Sequence, residues 1–362
     1  MPCHLTFFAV GNADCTLVRV EGGPAMVVDM TNVGLLLERF QEHGISSLSR
    51  VYITHDHNDH FPGLIKFVRF LERWLSEGGE TLALCPPRDL VMAARRRLKD
   101  LSDKGKTASP TYKQLQAALD RLQTWNDSGR LEIYSMEADL PSWREGGLEV
   151  RVLHPSYFFL ENRDPSTLPS KNEASVVLRI QYGTFAVVLL ADLDGTGISA
   201  MLRRASNRPS ELKCNMVKVP HHGAWPRNGD ELVDLIRHMN PELAVLSVGS
   251  TNSYQHVRPE LFDALVKLRG DMSTSLRAFI CTEATRTCMR SVEERAQMES
   301  RGLSEKRLCA GDIEVEVQSD GQWHWSGEKA HREELPYIPY AACQAGSSPV
   351  ARRLAVIRTK TP

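Results

Sequence analysis

Residues 51–60 read Val-Tyr-Ile-Thr-His-Asp-His-Asn-Asp-His, an apolar run that ends in three imidazoles and two carboxylates. Histidine and aspartate are poor core residues unless each finds a partner. One metal ion would satisfy several of them at once. Neutral imidazole nitrogens with a carboxylate oxygen are the donor set that suits zinc, with manganese or iron as options. Side chains two apart in an extended segment point the same way, so His55 and His57 can grip one ion as a pair. The chain then turns, and the adjacent Asp59 and His60 can reach a second ion beside the first. Asp56 and Asn58 alternate with the histidines and are expected to face away or hold the loop. Phe61-Pro62-Gly63 closes the loop, and a helical pattern begins at Leu64.

Working outward, the 362 residues suffice for one large domain or two modest ones, with a sizeable core. The formal net charge of −1 excludes a global pull toward nucleic acid or membrane surfaces. Any nucleic-acid contact needs a local basic patch. Candidates are Arg95-Arg96-Arg97 with Lys99, and the tail residues Arg352, Arg353, Arg358 and Lys360, each set against the plainer reading of a solvated helix face or loose tail. No run of apolar residues is long enough to span a membrane. Met1-Pro2-Cys3-His4 leads straight into strand-like Leu5–Val10, and the eight cysteines have no framework spacing. A cytoplasmic protein with free thiols is expected. Cys281, Cys288 and Cys309 could meet as a disulfide or a minor metal site, but scattered buried thiols are the preferred expectation.

The pattern of elements is α/β. Leu5–Val10, Thr16–Val20 and Ala25–Val28 read as strands, Leu35–His43 as a helix, and Ser49–Thr54 as the strand that feeds the histidine loop. Residues 65 to about 130 read as a mostly helical insertion with a short strand near Leu82–Cys85. Strands return at Leu148–Leu153, Ser175–Ile180, Phe185–Leu190, Asn215–Val219, Leu243–Val248 and Ala278–Cys281. Helices are expected at Gly197–Ala205, Leu232–Met239 and Pro259–Arg269. Residues 283–308 read as a charged insertion, and Ile313–Val317 with Trp323–Trp325 as a closing hairpin. One domain over 1–325 and a peripheral, partly mobile tail over 326–362 are expected.

Four of these strands end in a metal-competent residue: Thr54-His55, Leu153-His154, Ala191-Asp192 and Pro220-His221-His222. Ligands at strand ends along one edge of a sheet are what a rigid scaffold can hold in place. Asp192, with two oxygens, is the choice for a carboxylate that bridges two ions. Its plainer reading is a cap for the next helix, a role Asp194 would fill better. Adjacent residues at a strand end point in different directions. His222 is therefore assigned as a ligand and His221 as a group that faces substrate or handles a proton.

These segments resemble the metallo-β-lactamase superfamily, whose hallmark is a His-x-His-x-Asp-His loop, and in particular its ComEC-like soluble hydrolase domains. The resemblance is carried, in order, by Val10–Leu17, Val27-Val28-Asp29, Thr54–Gly63, Asn172–Leu178, Leu189–Asp192, Val219–Gly223 and Leu246–His256. It implies a four-layer αββα sandwich with helical insertions and a centre of two divalent metal ions, zinc first, with manganese or iron possible. The metal ligands would be His55, His57, Asp59, His60, Asp192 and His222. The chain departs from many members at Asn172, where a third histidine stands. His154 could substitute for that histidine or simply open the following loop. Asp14 and Asp29 are expected to support the site from behind. The turn Gly11-Asn12-Ala13-Asp14 has Ala13 where the relatives carry a second glycine, which puts a positive φ there in question.

The resemblance further implies hydrolysis by metal-activated water, of a phosphodiester in nucleic acid or a nucleotide. Asp59 or Asp192 would orient the nucleophile, and His221 or His256 would protonate the leaving oxygen. Two other function classes stand beside it. A small-molecule ester, lactone or thioester hydrolase suits the near-neutral charge. A non-catalytic binding module on the same scaffold is the other, and the nearly intact ligand set, lacking only the third histidine, argues against it. The insertions and the tail are candidates for covering the pocket or binding a protein partner, and the oligomeric state is left open.

Overall fold

The computed structural model describes residues 1–87, 89–161, 171–298 and 302–344. The basic tail residues Arg352, Arg353, Arg358 and Lys360 lie outside that set. The chain forms β1 (Cys3–Phe7), β2 (Thr16–Val20), β3 (Ala25–Val28), β4 (Ser47–Tyr52), β5 (Glu80–Cys85), β6 (Glu132–Ile133), β7 (Trp143–Glu145), β8 (Leu148–His154), β9 (Val177–Tyr182), β10 (Phe185–Leu189), β11 (Met216–Lys218), β12 (Leu243–Leu246), β13 (Ala278–Cys281), β14 (Ile313–Val317) and β15 (Trp323–Ser326). They build two sheets, in the orders β15-β14-β1-β2-β3-β4-β5-β6 and β13-β12-β11-β10-β9-β8-β7.

Three apolar clusters explain the layering. Between the sheets, Leu5, Val18, Met26 and Val28 of the first meet Leu178, Ile180, Val187 and Val245 of the second. The alternate residues of the same strands face outward. Leu17, Val27 and Val51 pack under the helices Val33–Glu42, Leu64–Ser76, Asp89–Asp103 and Pro110–Asp127. Val188, Val217 and Ala244 pack under Gly195–Asn207, Gly229–Met239 and Pro259–Gly270. Strands buried on both faces read as near-continuous apolar runs, and those of β3 and β10 do so. The result is an αββα sandwich.

Local sequence explains the helices that set the site. Helix Leu64–Ser76 buries Leu64, Phe67, Val68, Leu71 and Trp74 on one face, at helical spacing. Gly63 leads into it at φ 85°, a value glycine tolerates without strain. Asp194 caps helix Gly195–Asn207 by accepting from the Gly195 N–H at 2.7 Å.

Two stretches differ from the sequence expectation. The region 65–130 holds β5, which pairs in parallel with both β4 and β6, so it extends the first sheet as well as covering it. Residues 328–344, expected as part of a loose tail, fold back as short helices. Ile338 enters the core cluster of the second sheet, and the Tyr340 N–H reaches the Cys288 carbonyl at 2.8 Å. Apolar side chains spaced through a charged segment were enough to dock it. All eight cysteines are free, with Cys281, Cys288 and Cys309 buried. Among the described residues no helix is long and apolar enough to cross a membrane. Arg95, Arg96, Arg97 and Lys99 project from helix Asp89–Asp103 as exposed groups.

Candidate metal centre

The parallel strands β3, β4 and β5 of one sheet and β10, β11, β12 and β13 of the other all end on related edges, and loops after β3, β4, β10, β11 and β12 converge there. The carboxyl ends of parallel strands are where α/β proteins place ligands. The loops carry an unusual amount of left-handed backbone. Asp29, Ala191, His221, His222 and Gln255 all have φ between 47° and 61°. Such conformations cost non-glycine residues roughly 1–3 kcal/mol each and persist only where the surroundings enforce them. Here they bend the chain sharply at strand ends, so that neighbouring side chains diverge. Ala13 is not among these residues, and the positive φ of that turn falls on Gly11.

Beside the triad Asp14-Asp29-His60, two larger groups of ligand atoms form, His55-His57-Asp59-Asp192 and Asp59-His60-Asp192-His222, with the atoms of each group within 4.8 Å of one another. The two larger groups share Asp59 and Asp192. The two oxygens of Asp192 divide between the groups. Oδ2 lies 3.7 Å from His55 Nε2, while Oδ1 lies 2.9 Å from His60 Nε2 and 3.6 Å from His222 Nε2. Asp59 Oδ2 is 3.4 Å from His222 Nε2, and His55 Nε2 meets His57 Nδ1 at 3.2 Å. His60 Nε2, His222 Nε2 and Asp192 Oδ1 are buried and close together, with no hydrogen-bond partner beyond one another. Unpaired buried polar atoms are costly, and a cation at their meeting point satisfies all three. The donor set therefore fits two adjacent divalent ions.

Further contacts aim the ligands. His60 Nδ1 bonds to Asp29 Oδ2 at 2.7 Å, which turns Nε2 toward the centre. Asp29 also accepts from the Thr54 N–H at 2.8 Å and the Thr54 hydroxyl at 2.7 Å, locking the loop that carries both histidines. His222 Nδ1 lies 2.9 Å from the Ser247 carbonyl, a contact in which only the nitrogen can donate. The remaining nitrogen, Nε2, is thereby left as a lone-pair donor for metal. Asp14 lies 3.6 Å from His60 Nδ1 and 3.6 Å from His222 Nδ1, and is itself held by the buried ammonium of Lys218.

The electrostatics match this role. Burial, reinforced by the His60 charge, holds the His55 imidazole down to about 2. Burial and Lys171 hold His57 below its ordinary value. Burial works against ionising Asp59, but His222, 3.4 Å from its Oδ2, and the His60 charge bring it to about 2. Burial likewise opposes the charge on Asp192, and His60 and His222 overcome it, leaving it well below the carboxylate range. Neutral imidazoles and ionised carboxylates are the states that bind metal. Burial disfavours a charge on His60, yet three carboxylates, Asp192, Asp14 and Asp29, raise it well above its usual value. It must shed a proton to ligate. Burial raises Asp29 against the pull of His60.

The remaining candidates sort by geometry. His221 is part-buried on the cavity wall, with Nε2 3.3 Å from Asn172 Nδ2 and Nδ1 3.7 Å from Asp194. Burial lowers its affinity for a proton, but Asp194 and Asp192 raise it above its ordinary value. His256 stands outside both ligand groups, pushed down to about 4 by burial and by His221 and His222. His154 is not brought to the centre: its Nε2 meets the Glu173 carbonyl at 2.9 Å, and its ring packs edge-on against Phe159. Asn172 lines the cavity in the place where a third histidine was sought. Sequence reasoning missed Thr54, Ser247 and Lys218. Only Lys218 carried a signal, as a charged residue inside the apolar run Met216–Val219.

Two facing mixed sheets with helices outside, and a His-x-His-x-Asp-His loop at their common edge, decide the architecture. The fold is the αββα sandwich of the metallo-β-lactamases. Here it carries a buried His/Asp cluster. ComE operon protein 3 of Bacillus subtilis is 30% identical over 118 residues, which make up 33% of this chain and 13% of that protein. The chain thus spans only a small part of that relative's length. Among solved structures, the metallo-β-lactamase fold protein YhfI of Bacillus subtilis is 13% identical, covers 73% of this chain and 94% of its own, and has a TM-score of 0.44. Igni18, a metallo hydrolase of Ignicoccus hospitalis, is 15% identical over 76% of this chain and 94% of its own, with a TM-score of 0.41. No protein-family model matches the chain.

The site opens into a cavity of about 620 Å³ lined by Asp59, Asp192, His57, His221 and His222 on its floor and by Asn12, Asn58, Asn172, Thr251, Asn252, Ser253 and Tyr254 above. Among the described residues of the 283–308 stretch none lines it, which differs from the expectation that this insertion covers the pocket. The insertion instead buttresses the loop after β12. The Leu303 N–H reaches the Ser250 carbonyl at 2.8 Å, and the Arg307 N–H reaches the Ser250 hydroxyl at 3.0 Å.

Proposed function

We propose that this protein is a metal-dependent hydrolase that cleaves phosphodiesters in nucleic acid or nucleotides. The observation that carries the reading is the pair of ligand groups sharing Asp59 and Asp192, which fits two adjacent cations at the floor of a polar cavity. A pair of bound divalent ions would supply hydroxide near neutral pH and polarise the ester under attack. His55 and His57 would hold one ion, His60 and His222 the other, and Asp192 would tie the two together. Asp59 is more exposed than Asp192 and faces the cavity, so it is the carboxylate placed to orient the nucleophile. His221 lines the cavity beside Asn172 and is the group placed to hand a proton to the leaving oxygen. His256 sits behind it and does not take that role in this reading. The neutral amides and hydroxyls above the floor offer hydrogen bonds to phosphoryl oxygens without further charge.

The test is activity of the metal-reconstituted full chain on single-stranded DNA, double-stranded DNA, RNA and a generic phosphodiester, with His57→Ala and Asp192→Ala as controls. The reading expects cleavage that both substitutions abolish. A nuclease also loses substrate affinity steeply as salt rises, because phosphate contacts release counterions. The competing reading, a small-ester or lactone hydrolase, is favoured by the near-neutral charge of the chain. It predicts turnover of uncharged esters with little response to salt.

A further inference from the structure

The loop after β12 carries a feature that the metal chemistry does not use. Asn252 clamps it shut: its Oδ1 accepts from the His256 N–H at 2.9 Å, and its Nδ2 donates to the His256 carbonyl at 2.9 Å and to the Gly249 carbonyl. Ser250 is tied to the buried carboxylate of Glu283 through its N–H at 2.8 Å and its hydroxyl at 2.9 Å. Gly249 presses on the turn after β1, where a Cβ would stand 2.5 Å from the Asn12 nitrogen. A loop braced in this way presents its tip in one position. At the tip is Tyr254, 66% exposed, whose ring lies parallel to that of His256 at 5.7 Å and 13°. His256 in turn lies 5.6 Å from His221, tilted by 60°. The three rings step from the rim of the cavity down to the proposed proton donor.

An exposed tyrosine is ordinary in itself. This one lines the cavity that holds Asp59, Asp192 and His222, lies on a histidine at one face, and stands on a loop fixed by buried hydrogen bonds. The other residues along the upper wall are small amides and hydroxyls. We propose that Tyr254, seated on His256, is a stacking subsite for a flat ring of the substrate next to the scissile ester, and that the ring is a nucleobase. This rests on the phosphodiesterase reading of the same site. Base–aromatic stacking contributes enough to shift affinity by about five- to a hundredfold per base.

The test compares a short thymidine oligonucleotide with one of equal length and charge whose sugars carry no base. Cleavage is measured for the metal-loaded wild type and for Tyr254→Ala, Tyr254→Phe and Tyr254→Trp. Binding is measured separately, by anisotropy of the labelled oligonucleotides on the His57→Ala protein with and without Tyr254→Ala. The expected result is a KM and a Kd about five- to a hundredfold lower for the base-bearing strand. Tyr254→Ala should erase that ratio through KM with kcat little changed, and the Phe and Trp variants should keep it. A ratio near one in the wild type, or a ratio that Tyr254→Ala leaves intact in both KM and Kd, overturns the subsite. Should neither oligonucleotide be cleaved, the phosphodiesterase reading fails, while the Kd ratio still decides the stacking proposal.

Discussion

Asp192 faces His55 with one carboxylate oxygen and His60 with the other, at 3.7 Å and 2.9 Å from the respective Nε2 atoms. No other residue of the centre divides its oxygens between the two histidine groups in this way. Asp192→Ala should therefore empty both positions rather than one, whereas His57→Ala should weaken chiefly the first. Bound metal per chain, measured after dialysis against dilute zinc, is expected to fall from two to well below one for Asp192→Ala. Any hydrolysis should drop by at least about a hundredfold.

Asp29 belongs to neither of the two ligand groups that meet at Asp192, yet it holds His60 and both donors of Thr54. Asp29→Ala would leave three buried donors without their acceptor, at roughly 1–3 kcal/mol each before the site relaxes. We expect a loss of about 2–4 kcal/mol in urea unfolding of the metal-free protein, and zinc affinity lower by about 10- to 100-fold. Unchanged zinc affinity would show that His60 needs no support from behind.

Lys218 and Asp14 form a buried ion pair between β11 and the turn that follows β1. Removing one member strands the other charge, which typically costs about 3–5 kcal/mol. Lys218→Met should destabilise by that order, and the double variant Lys218→Met/Asp14→Asn by clearly less. Thermal or urea unfolding of the four proteins closes the cycle. Equal losses in the single and double variants would mean the pair contributes only through packing of the lysine stem.

His256 is pushed down to about 4 by burial and by its histidine neighbours. In the unfolded chain it titrates near 6.5. The unfolded state thus binds the proton first on acidification. The stability due to neutral His256 is fully present above about pH 6.5 and is lost as pH falls through about 4. Relative to His256→Gln, the metal-free wild type should lose roughly 3 kcal/mol between pH 7 and pH 4. Urea midpoints of both proteins across that range are the measurement. Parallel pH curves would place the histidine in a more solvated environment than its burial indicates.

Much of this site was legible from sequence because its signals are local. The loop from His55 to His60 crowds ligands into a stretch too short to bury them by packing, and the strand ends at Asp192 and His222 repeat the theme. Asp194 as a helix cap followed from its place one residue before Gly195. Other assignments could not be made that way. His154 has the same sequence setting as His55, a histidine ending an apolar strand, but the Glu173 carbonyl takes its nitrogen. Nothing near residue 154 in the chain announces that partner. Residues 328–344 looked like tail because their apolar residues are sparse, and they dock because Ile338 finds a core formed by other segments.

By itself the sequence determined the donor chemistry and an α/β pattern of elements, and its resemblance implied the αββα sandwich. Alternating apolar residues dictate which strand face is buried, and histidines with aspartates crowded into one loop form a donor set that suits a divalent metal. Tertiary structure alone decided which donors converge and what aims them. His221 and His222 are neighbours of identical type, and a left-handed backbone enforced by surrounding loops sends one to the metal positions and the other to the cavity wall. Asp29 meets His60 across 31 positions and Lys218 meets Asp14 across 204. The first depends on β3 and β4 lying side by side and the second on how the two sheets are laid face to face, relationships that no local pattern of residues encodes.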